Sequence, residues 1–300
     1  MASAKEIKNH IGSVKNTQKI TNAMYLIAST KLRRARESLN RTQPYFDALR
    51  REIAHAFQCA ESAKSPYVAT NRAESPDDVY AYLVITADRG LAGAYNQNVI
   101  KEVQRLMAQH EKSRLFVVGD YGRQYFTSRR IAVEKSFLYT AQNPTLSRAR
   151  EVAALLLDLY DRGEVQKIFV VYTELSGGMN TSVRTDCLLP IAAEAFADGE
   201  SHAGLRFEPS ADAVISYAVP GYVAGYLYSA VVDSFCAEQS ARAAAMDSAN
   251  QNAQELLDAL TLEYNHERQG AITQEITEIS AGARAKKQHE EAHRDERSHQ

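Results

Sequence analysis

Long helical periodicity at both ends of the chain restricts its possible folds more than any other feature. Small or apolar residues recur at alternating spacings of four and three over residues 7–39, and apolar residues recur again over 223–283. Such spacing is typical of helices that pair in a coiled coil. A helix of about 60 residues is roughly 90 Å long, so no compact domain could bury it, and we expect it to pair with another long helix. The first seam comprises Ile7, Ile11, Val14, Gln18, Thr21, Tyr25, Ala28, Leu32, Ala35 and Leu39, and the second comprises Val223, Leu227, Ala230, Phe235, Ala249, Ala253, Leu256, Leu260, Tyr264, Ile272, Ile276, Ile279 and Ala283.

The two terminal segments carry opposite charges, although the formal net charge of the whole chain is only -2. Between Lys5 and Glu52 there are 11 Lys or Arg against 4 Asp or Glu, whereas between Asp212 and Glu278 there are 2 against 10. Opposite charges favour pairing of the two ends. We therefore predict an antiparallel coiled coil of the N- and C-terminal helices. The alternative is that each helix pairs with another protein.

The middle of the chain has a different pattern. Short runs rich in Val, Ile and Tyr alternate with amphipathic stretches, which predicts a parallel-type α/β sheet covered on both faces. The fold class is thus a Rossmann-like α/β module inserted between the helices of a long antiparallel coiled coil. The predicted strands are Val79–Thr86, Arg114–Gly119, Ile131–Phe137, Lys167–Glu174 and Val183–Leu189, and the predicted helices are Ala94–Gln109 and Ser147–Asp161. The predicted divisions are an N-terminal helix at 1–57, a linker at 58–78, the module at 79–205, a C-terminal helix at 206–283 and a charged tail at 284–300.

Two glycine-containing turns of the module occupy the position of a phosphate-binding loop. Thr86–Ala94 follows one predicted strand, and Gly119–Arg123 follows the next. Neither has the glycine spacing of a dinucleotide fingerprint or of a P-loop. We therefore expect tight strand-to-helix turns, no direct nucleotide binding and no cofactor.

Other chemical motifs are weak. His289–His293 matches H-E-x-x-H, but it lies in a charged tail without an apolar shell for a metal, so we expect no metal site. The basic run Lys31–Arg36 lacks aromatic residues, and we expect no nucleic-acid binding. Cys59, Cys187 and Cys236 form no CxxC pair, which is typical of idle thiols in a reducing compartment.

One stretch, between Asp212 and Asp233, contains no charged residue and has about the length of a membrane span. It also contains Ser216, Pro220 and Gly221, together with four tyrosines. We therefore predict a buried helix start in place of a transmembrane helix.

Four segments, in register along residues 4–283, resemble the gamma subunit of the rotary F-type ATP synthase. Lys5–Leu32 is similar to the start of that family, Ile85–Asn96 to its strand-turn motif, and Ala271–Ala283 to its C-terminal signature. Ala241–Ala249 also fits the family. The resemblance implies a non-catalytic rotor shaft that couples ion-driven rotation to ATP synthesis or hydrolysis in the beta subunits.

The resemblance also implies partners: the alpha and beta subunits around the shaft, with the epsilon subunit and the membrane c-ring at its foot. Phe207 and Glu208 match the foot segment. A peripheral position on the cytoplasmic face of a bacterial membrane is implied as well. The residues that match shaft positions facing the alpha and beta subunits are Met24, Lys31, Arg242, Arg268, Gln269, Thr273, Glu275 and Glu278.

The sequence departs from the family pattern at Asn22 and Tyr25, where two charges are lost, and at Ser280. The tail after Ala283 replaces a short apolar tip, and an apolar sleeve could not bury its charges. Two alternatives remain: a coiled-coil adaptor with an α/β head, and an enzyme that uses this head.

Overall fold

We describe the fold from a computed structural model covering residues 3–59, 65–69, 75–110, 112–134, 137–175, 181–192, 207–208 and 210–298. The elements in chain order are α1 (Ala4–Cys59), β1 (Tyr80–Ile85), α2 (Tyr95–Met107), β2 (Ser113–Val118), α3 (Asp120–Ser128), α4 (Leu146–Asp161), β3 (Lys167–Leu175), β4 (Thr181–Leu189) and α5 (Ala211–Ser298). Contacts divide the chain into two compact units, Met1–Met24 with Met246–Gln300, and Tyr25–Ala245. Much of the predicted linker at 58–78 and of the segment at 193–206 lies outside the described residues.

The unit Tyr25–Ala245 contains a four-stranded sheet of order β2-β1-β3-β4. The first three strands are parallel, and β4 joins β3 in antiparallel orientation. Side chains alternate between the faces of β1, so that Leu83 faces one apolar core and Tyr82 faces the other. The first core is closed by α4, α5 and α1, and the second by α2 and α3. The predicted α/β module with both faces covered is confirmed, with one antiparallel edge strand.

One predicted strand is wrong. In the described part of Ile131–Phe137 the chain is irregular. Ile131 and Val133 pack against the second core, whereas Phe137 packs against the first. The segment therefore crosses the edge of the sheet, and Glu134 contributes a single described backbone bond to β2, its N–H donating to Leu115 O at 2.9 Å.

Helix α3 was not predicted, because the sequence Gly119–Arg123 looks like a turn. Gly122 and Phe126 of this nine-residue helix are buried, and Tyr121 and Tyr125 pack beside them against the second core. This apolar face spans only about two turns, which is too short to be recognised as a helical repeat. Gly119 precedes it with φ of 95°, and a Cβ there would lie 2.3 Å from Thr86 O. The glycine thus serves a left-handed turn packed closely on the end of β1.

The first seam is confirmed within each unit. Ala28 and Ala35 are buried in the unit Tyr25–Ala245, where Ser38 Oγ and Tyr228 OH are 2.9 Å apart. Between these helices, Gly225 of α5 lies against the Phe46 ring of α1, at a distance that leaves no room for a Cβ. One side of the predicted uncharged start of the C-terminal helix is confirmed as buried, at Ile215, Val219, Val223, Leu227 and Val232, whereas Tyr217 is 92% exposed.

The second seam needs two corrections. Leu256 is 43% exposed, and Leu257 takes its place in the contact with α1, because the seam follows Met246, Ala253, Leu257 and Leu260. Beyond residue 267 the seam does not continue at all. Ile272, Ile276, Ile279 and Ala283 are exposed, since α1 begins at Ala4 and offers nothing to cover them. Helix α5 itself continues past the predicted boundary at 283 to Ser298.

Candidate functional site

The candidate site is the surface of the two terminal helices, and polar contacts fix their register in the unit Met1–Met24 with Met246–Gln300. Gln18 Nε2 donates to Gln254 Oε1 at 3.2 Å, and Thr21 Oγ1 donates to Asn250 Oδ1. The polar gap in the first seam is therefore filled by hydrogen bonds between the helices. Because the two helices are antiparallel and Thr21 lies opposite Asn250, Ser3 at the start of the described chain lies opposite Arg268.

The part of α5 beyond that level has no partner helix among the described residues. It comprises the 31 residues Arg268–Ser298, about 46 Å of helix at 1.5 Å per residue. Every side chain from Arg268 to Arg284 is exposed. Three isoleucines form an apolar row on it, with exposed fractions of 42% for Ile272, 59% for Ile276 and 72% for Ile279.

Five of the predicted site residues lie on this unpaired stretch: Arg268, Gln269, Thr273, Glu275 and Glu278. Thr273 Oγ1 donates back to Gln269 O at 2.9 Å, and Gln274 Nε2 donates to Glu278 Oε1 at 2.9 Å. These contacts stay within one helix. The charged and amide groups of the stretch are therefore presented outward together with the isoleucine row.

The other predicted residues lie elsewhere. Lys31 is exposed on α1, and Met24 is half-buried there. Phe207 packs against the first core, while Glu208 is exposed. The charged tail at 287–300, including His289–His293, lies outside the residues whose side chains are described.

Arg242 is directed into its own chain. Its Nε donates to Glu238 Oε1 at 2.9 Å, its Nη2 also donates to Glu238, and its Nη1 donates to Gly90 O at 2.8 Å. Only 14% of the Arg242 side chain and 8% of the Glu238 side chain are exposed. The structure thus gives Arg242 an intrachain role that the sequence did not predict.

The turn after β1, where a phosphate-binding loop would lie in other α/β folds, contains a bonded carboxylate. Asp88 Oδ1 accepts from the backbone N–H of Asp120 at 3.2 Å and of Ala141 at 3.1 Å, and Oδ2 accepts from Gln142 N–H at 3.1 Å. Asp120 is the first residue of α3. A helix N-terminus that could receive a phosphate therefore already binds an anionic side chain of the chain itself.

Two half-buried carboxylates of the same unit are Asp186 on β4 and Asp233 on α5. Tyr226 OH donates to Asp186 Oδ2 at 2.5 Å, and Tyr172 OH donates to the same atom at 3.3 Å. Burial is the main cause that raises the pKa of Tyr226, and it raises the pKa of Tyr172 to about 12. Burial, and secondarily the nearby Glu174 charge, raise the pKa of Asp233 to about 6.

The described residues contain no group of His, Cys, Asp and Glu side chains that could hold a metal ion. Cys187 is exposed and Cys236 is buried, both as free thiols, and burial raises the pKa of the Cys236 thiol to about 11. Within the same described residues, none of the helices combines the length and apolar character of a membrane span. The buried side chains at the uncharged start of α5, among them Ile215, Val219 and Val223, belong to the first core.

Sequence reasoning missed Asp88, Tyr95, Ser234 and Glu238. Their contacts join residues that are far apart in the chain, such as Gly90 and Arg242, and no short motif reports them. The sequence indicated only that the start of α5 is buried, because an uncharged helix of this length is expected to be covered by other parts of a protein.

Comparisons with known proteins place the chain in a family. A family profile described as ATP synthase matches residues 3–285. The ATP synthase gamma chain of Caldanaerobacter subterraneus subsp. tengcongensis is 41% identical over 292 residues, covering 93% of this chain and 98% of the relative. That of Ruminiclostridium cellulolyticum is 38% identical over 288 residues, covering 94% and 98%. The sodium ion specific gamma chain of Acetobacterium woodii is 34% identical over 299 residues, covering 93% and 97%.

Solved structures share the fold. The chain is similar to one in the Euglena gracilis mitochondrial ATP synthase OSCP/F1/c-ring structure, with a TM-score of 0.64, 16% identity and 94% of each chain covered. A chain of the rotor structure from the same organism gives a TM-score of 0.62 at 15% identity, covering 90% of this chain and 98% of that one. The predicted resemblance is therefore confirmed over nearly the full length: the chain belongs to the ATP synthase gamma chain family.

Proposed function

We propose that this chain is the central-stalk rotor subunit of an F-type ATP synthase. It couples ion-driven rotation of a membrane ring to conformational change, and hence to ATP synthesis or hydrolysis, in the catalytic beta subunits. The observation that carries this proposal is the unpaired stretch of α5 after Arg268. An apolar row on a lone helix requires cover from another protein, and membership of the family supplies a candidate for that cover.

The proposed contacts with the alpha and beta subunits involve both helices. On α5, the exposed groups Arg268, Gln269, Thr273, Glu275 and Glu278 offer donors and acceptors beside the isoleucine row. On α1, exposed Lys31 offers a cation, whereas Met24 is half-buried and contributes less surface. Arg242 is bonded within its own chain, to Glu238 and to Gly90 O.

A shaft of this kind performs no bond chemistry. Residues on different sides of α5 would meet different beta subunits at a given angle of rotation. A contact that is stronger in one beta conformation than in another shifts the balance between them by that difference in free energy. The asymmetric arrangement of charge and isoleucine on the unpaired stretch fits this requirement.

The foot of the shaft would meet the epsilon subunit and the membrane ring. Glu208 is exposed and available for such a contact, whereas Phe207 packs against the chain's own core and would instead position the segment. The chain would then lie peripherally on the cytoplasmic face of the membrane, held by its partners.

Co-purification tests this proposal. We expect alpha and beta subunits to be identified by mass spectrometry with a tagged full-length chain. A chain that returns alone or with unrelated proteins would instead be a coiled-coil adaptor with an α/β head. Tight equilibrium binding of ATP or NAD to the chain would favour an enzyme. Such binding would also contradict the expectation that a phosphate cannot bind where the Asp88 carboxylate already accepts three backbone N–H groups.

Arg268→Ala and Gln269→Ala then test the contacts in the assembled complex. We expect both to slow ATP hydrolysis, because they remove contacts that differ between beta conformations. Arg105→Ala is the matched control, since Arg105 lies on α2 in a surface ion pair with Glu102. If hydrolysis is unchanged in all three variants, the proposed contact role of Arg268 and Gln269 is wrong.

A further inference from the structure

The inference begins at the crevice between the carboxyl ends of β1 and β3. The connection from β1 to β2 packs on one face of the sheet, and α4, which precedes β3, packs on the other. Neighbouring parallel strands with such connections create the crevice in which open α/β sheets usually bind ligands. Thr86 and Thr173 lie at the two strand ends, and both are buried.

The chain's own helix α5 occupies this crevice. Ala237 of α5 is fully buried in a cluster with Ala87, Ala92 and Tyr95, and Leu175 at the end of β3 packs against the cluster. Ala241, one turn later, also packs there. The module thus holds a helix where related sheet folds hold a small molecule.

Apolar contact alone would allow α5 to rotate about its own axis. Alanine side chains allow close approach, but they offer no protruding group that interlocks with a neighbour. At this position, directional hydrogen bonds supply what the alanines lack. Ser234 Oγ lies 2.7 Å from Tyr95 OH and accepts from Thr173 N–H at 3.5 Å.

One turn beyond Ala237, Arg242 provides the second attachment. Its guanidinium donates both to Glu238 on α5 and to Gly90 O in the loop after β1. Glu238 also accepts from Gln239 Nε2, so its carboxylate is bonded on both oxygens. A buried ion pair gains little net stability, because desolvation offsets the attraction. Its contribution here is a fixed direction for the guanidinium.

We infer that the β1–β3 crevice is a clamp that fixes the rotational position of α5 on the sheet, with Arg242 and Tyr95 as positioning residues for torque transfer. The inference rests on the proposed rotor function. Force applied to the module reaches α5 through the Arg242–Gly90 and Tyr95–Ser234 bonds. These bonds lie in the last turns of α5 that belong to the unit Tyr25–Ala245.

The test uses the assembled, membrane-bound complex carrying Arg242→Ala or Tyr95→Phe. ATP hydrolysis and ATP-driven ion pumping are measured on the same preparation, with subunit content and thermal unfolding as checks on assembly. We expect the ratio of pumping to hydrolysis to fall by about fivefold in Arg242→Ala, the lower end of typical coupling between sites. Arg242→Lys should fall in between, because an ammonium cannot reproduce the fork of a guanidinium.

Arg105→Ala, which breaks a surface ion pair of the same module, should leave the ratio unchanged. A parallel loss of pumping and hydrolysis in Arg242→Ala would mean that the residue only stabilises the chain, and it would overturn the clamp. An unchanged ratio in both clamp variants would overturn it as well. If the wild-type chain recovers no alpha and beta subunits, the proposed function itself fails, which is a separate result.

Discussion

Gly225→Ala tests how closely α1 and α5 approach each other in the unit Tyr25–Ala245. A Cβ at this position would lie 2.1 Å from Cδ1 of Phe46 and 2.3 Å from its Cε1. Carbon atoms in good contact are about 3.5–4.0 Å apart, so the ring would have to move by roughly 1.5 Å. Phe46 is itself packed at 5.2 Å from Tyr45 and 6.4 Å from Tyr228, measured between ring centroids.

Two opposing effects set the magnitude. Alanine is favoured over glycine inside a helix by about 0.5–1 kcal/mol. Overpacking of a well-packed site costs about 1–3 kcal/mol and occasionally more. The clash is with a ring held on both sides, so we expect the second effect to dominate. The free energy of unfolding should fall by about 1–2 kcal/mol after the helix gain is subtracted.

Gly221→Ala is the matched control on the same helix. Its Cβ would lie 3.4 Å from Cδ2 of Leu49, the end of a flexible side chain. We expect this variant to be as stable as wild type or up to about 1 kcal/mol more stable. Adding Phe46→Leu to Gly225→Ala should recover much of the loss, because the smaller side chain makes room for the methyl group.

The assay is urea unfolding of the full chain, followed by the near-ultraviolet circular dichroism of its tyrosines. Tyr45 and Tyr228 flank the perturbed ring, and the chain contains no Trp to obscure them. The reasoning is refuted if Gly225→Ala is at least as stable as Gly221→Ala. In that case α1 and α5 can separate at no cost, and the glycine is not required for their approach.

The remaining predictions concern charges and the chain ends. Asp88→Ala should destabilise the chain by about 2–4 kcal/mol in urea unfolding, since three backbone N–H groups lose their acceptor. Asp233→Asn should raise stability at pH 7 to 8, by at most about 3 kcal/mol, but not at pH 4. The Asp233 pKa is raised in the fold to about 6, so the stability that the protonated carboxyl contributes is fully present below about pH 3.8 and is lost as pH rises through 6. If the difference in unfolding free energy between Asp233→Asn and wild type does not depend on pH, this prediction is wrong. Truncation after Arg284 should leave ATP hydrolysis nearly unchanged between pH 6 and 8, and a several-fold or pH-dependent difference would instead make the tail a regulatory element. In the free chain, hydrogen exchange should be fast at residues 1–40 and 250–283, because a seam of Ala, Gln and Thr buries little apolar area; strong protection there would contradict this prediction.

The sequence predicted much of the fold because the pattern of each element is local. The seam from Ile7 to Leu39 repeats at spacings of four and three, and the apolar residues of β3 follow one another directly, so both patterns can be recognised within a short window of sequence. Leu256 was assigned wrongly because Leu257 is its equally apolar neighbour, and only the position of α1 decides which of them is buried. The isoleucines after Arg268 continue the pattern, but the sequence cannot show where the partner helix begins.

The candidate site divides in the same way. The exposed residues of the unpaired stretch were assigned by resemblance to a family, and the structure shows that they face outward. The clamp could not be predicted, because Arg242 and Gly90 meet only after the sheet has formed and α5 has packed on it. Asp88 was seen as part of a turn, since a carboxylate that accepts three backbone bonds has no signature in the sequence.

The unpaired end of α5 also has a consequence for how the length of this chain can vary. Inserting one residue between Met246 and Leu257 would rotate the following side chains by about 100°, turning Leu257 and Leu260 away from α1. The same insertion after Arg268 would disturb no described contact with another helix of the chain. Packing within the chain therefore constrains the length of α5 up to Arg268, while residues beyond it can be added or lost with no internal penalty, so that only an external partner could fix where the helix ends.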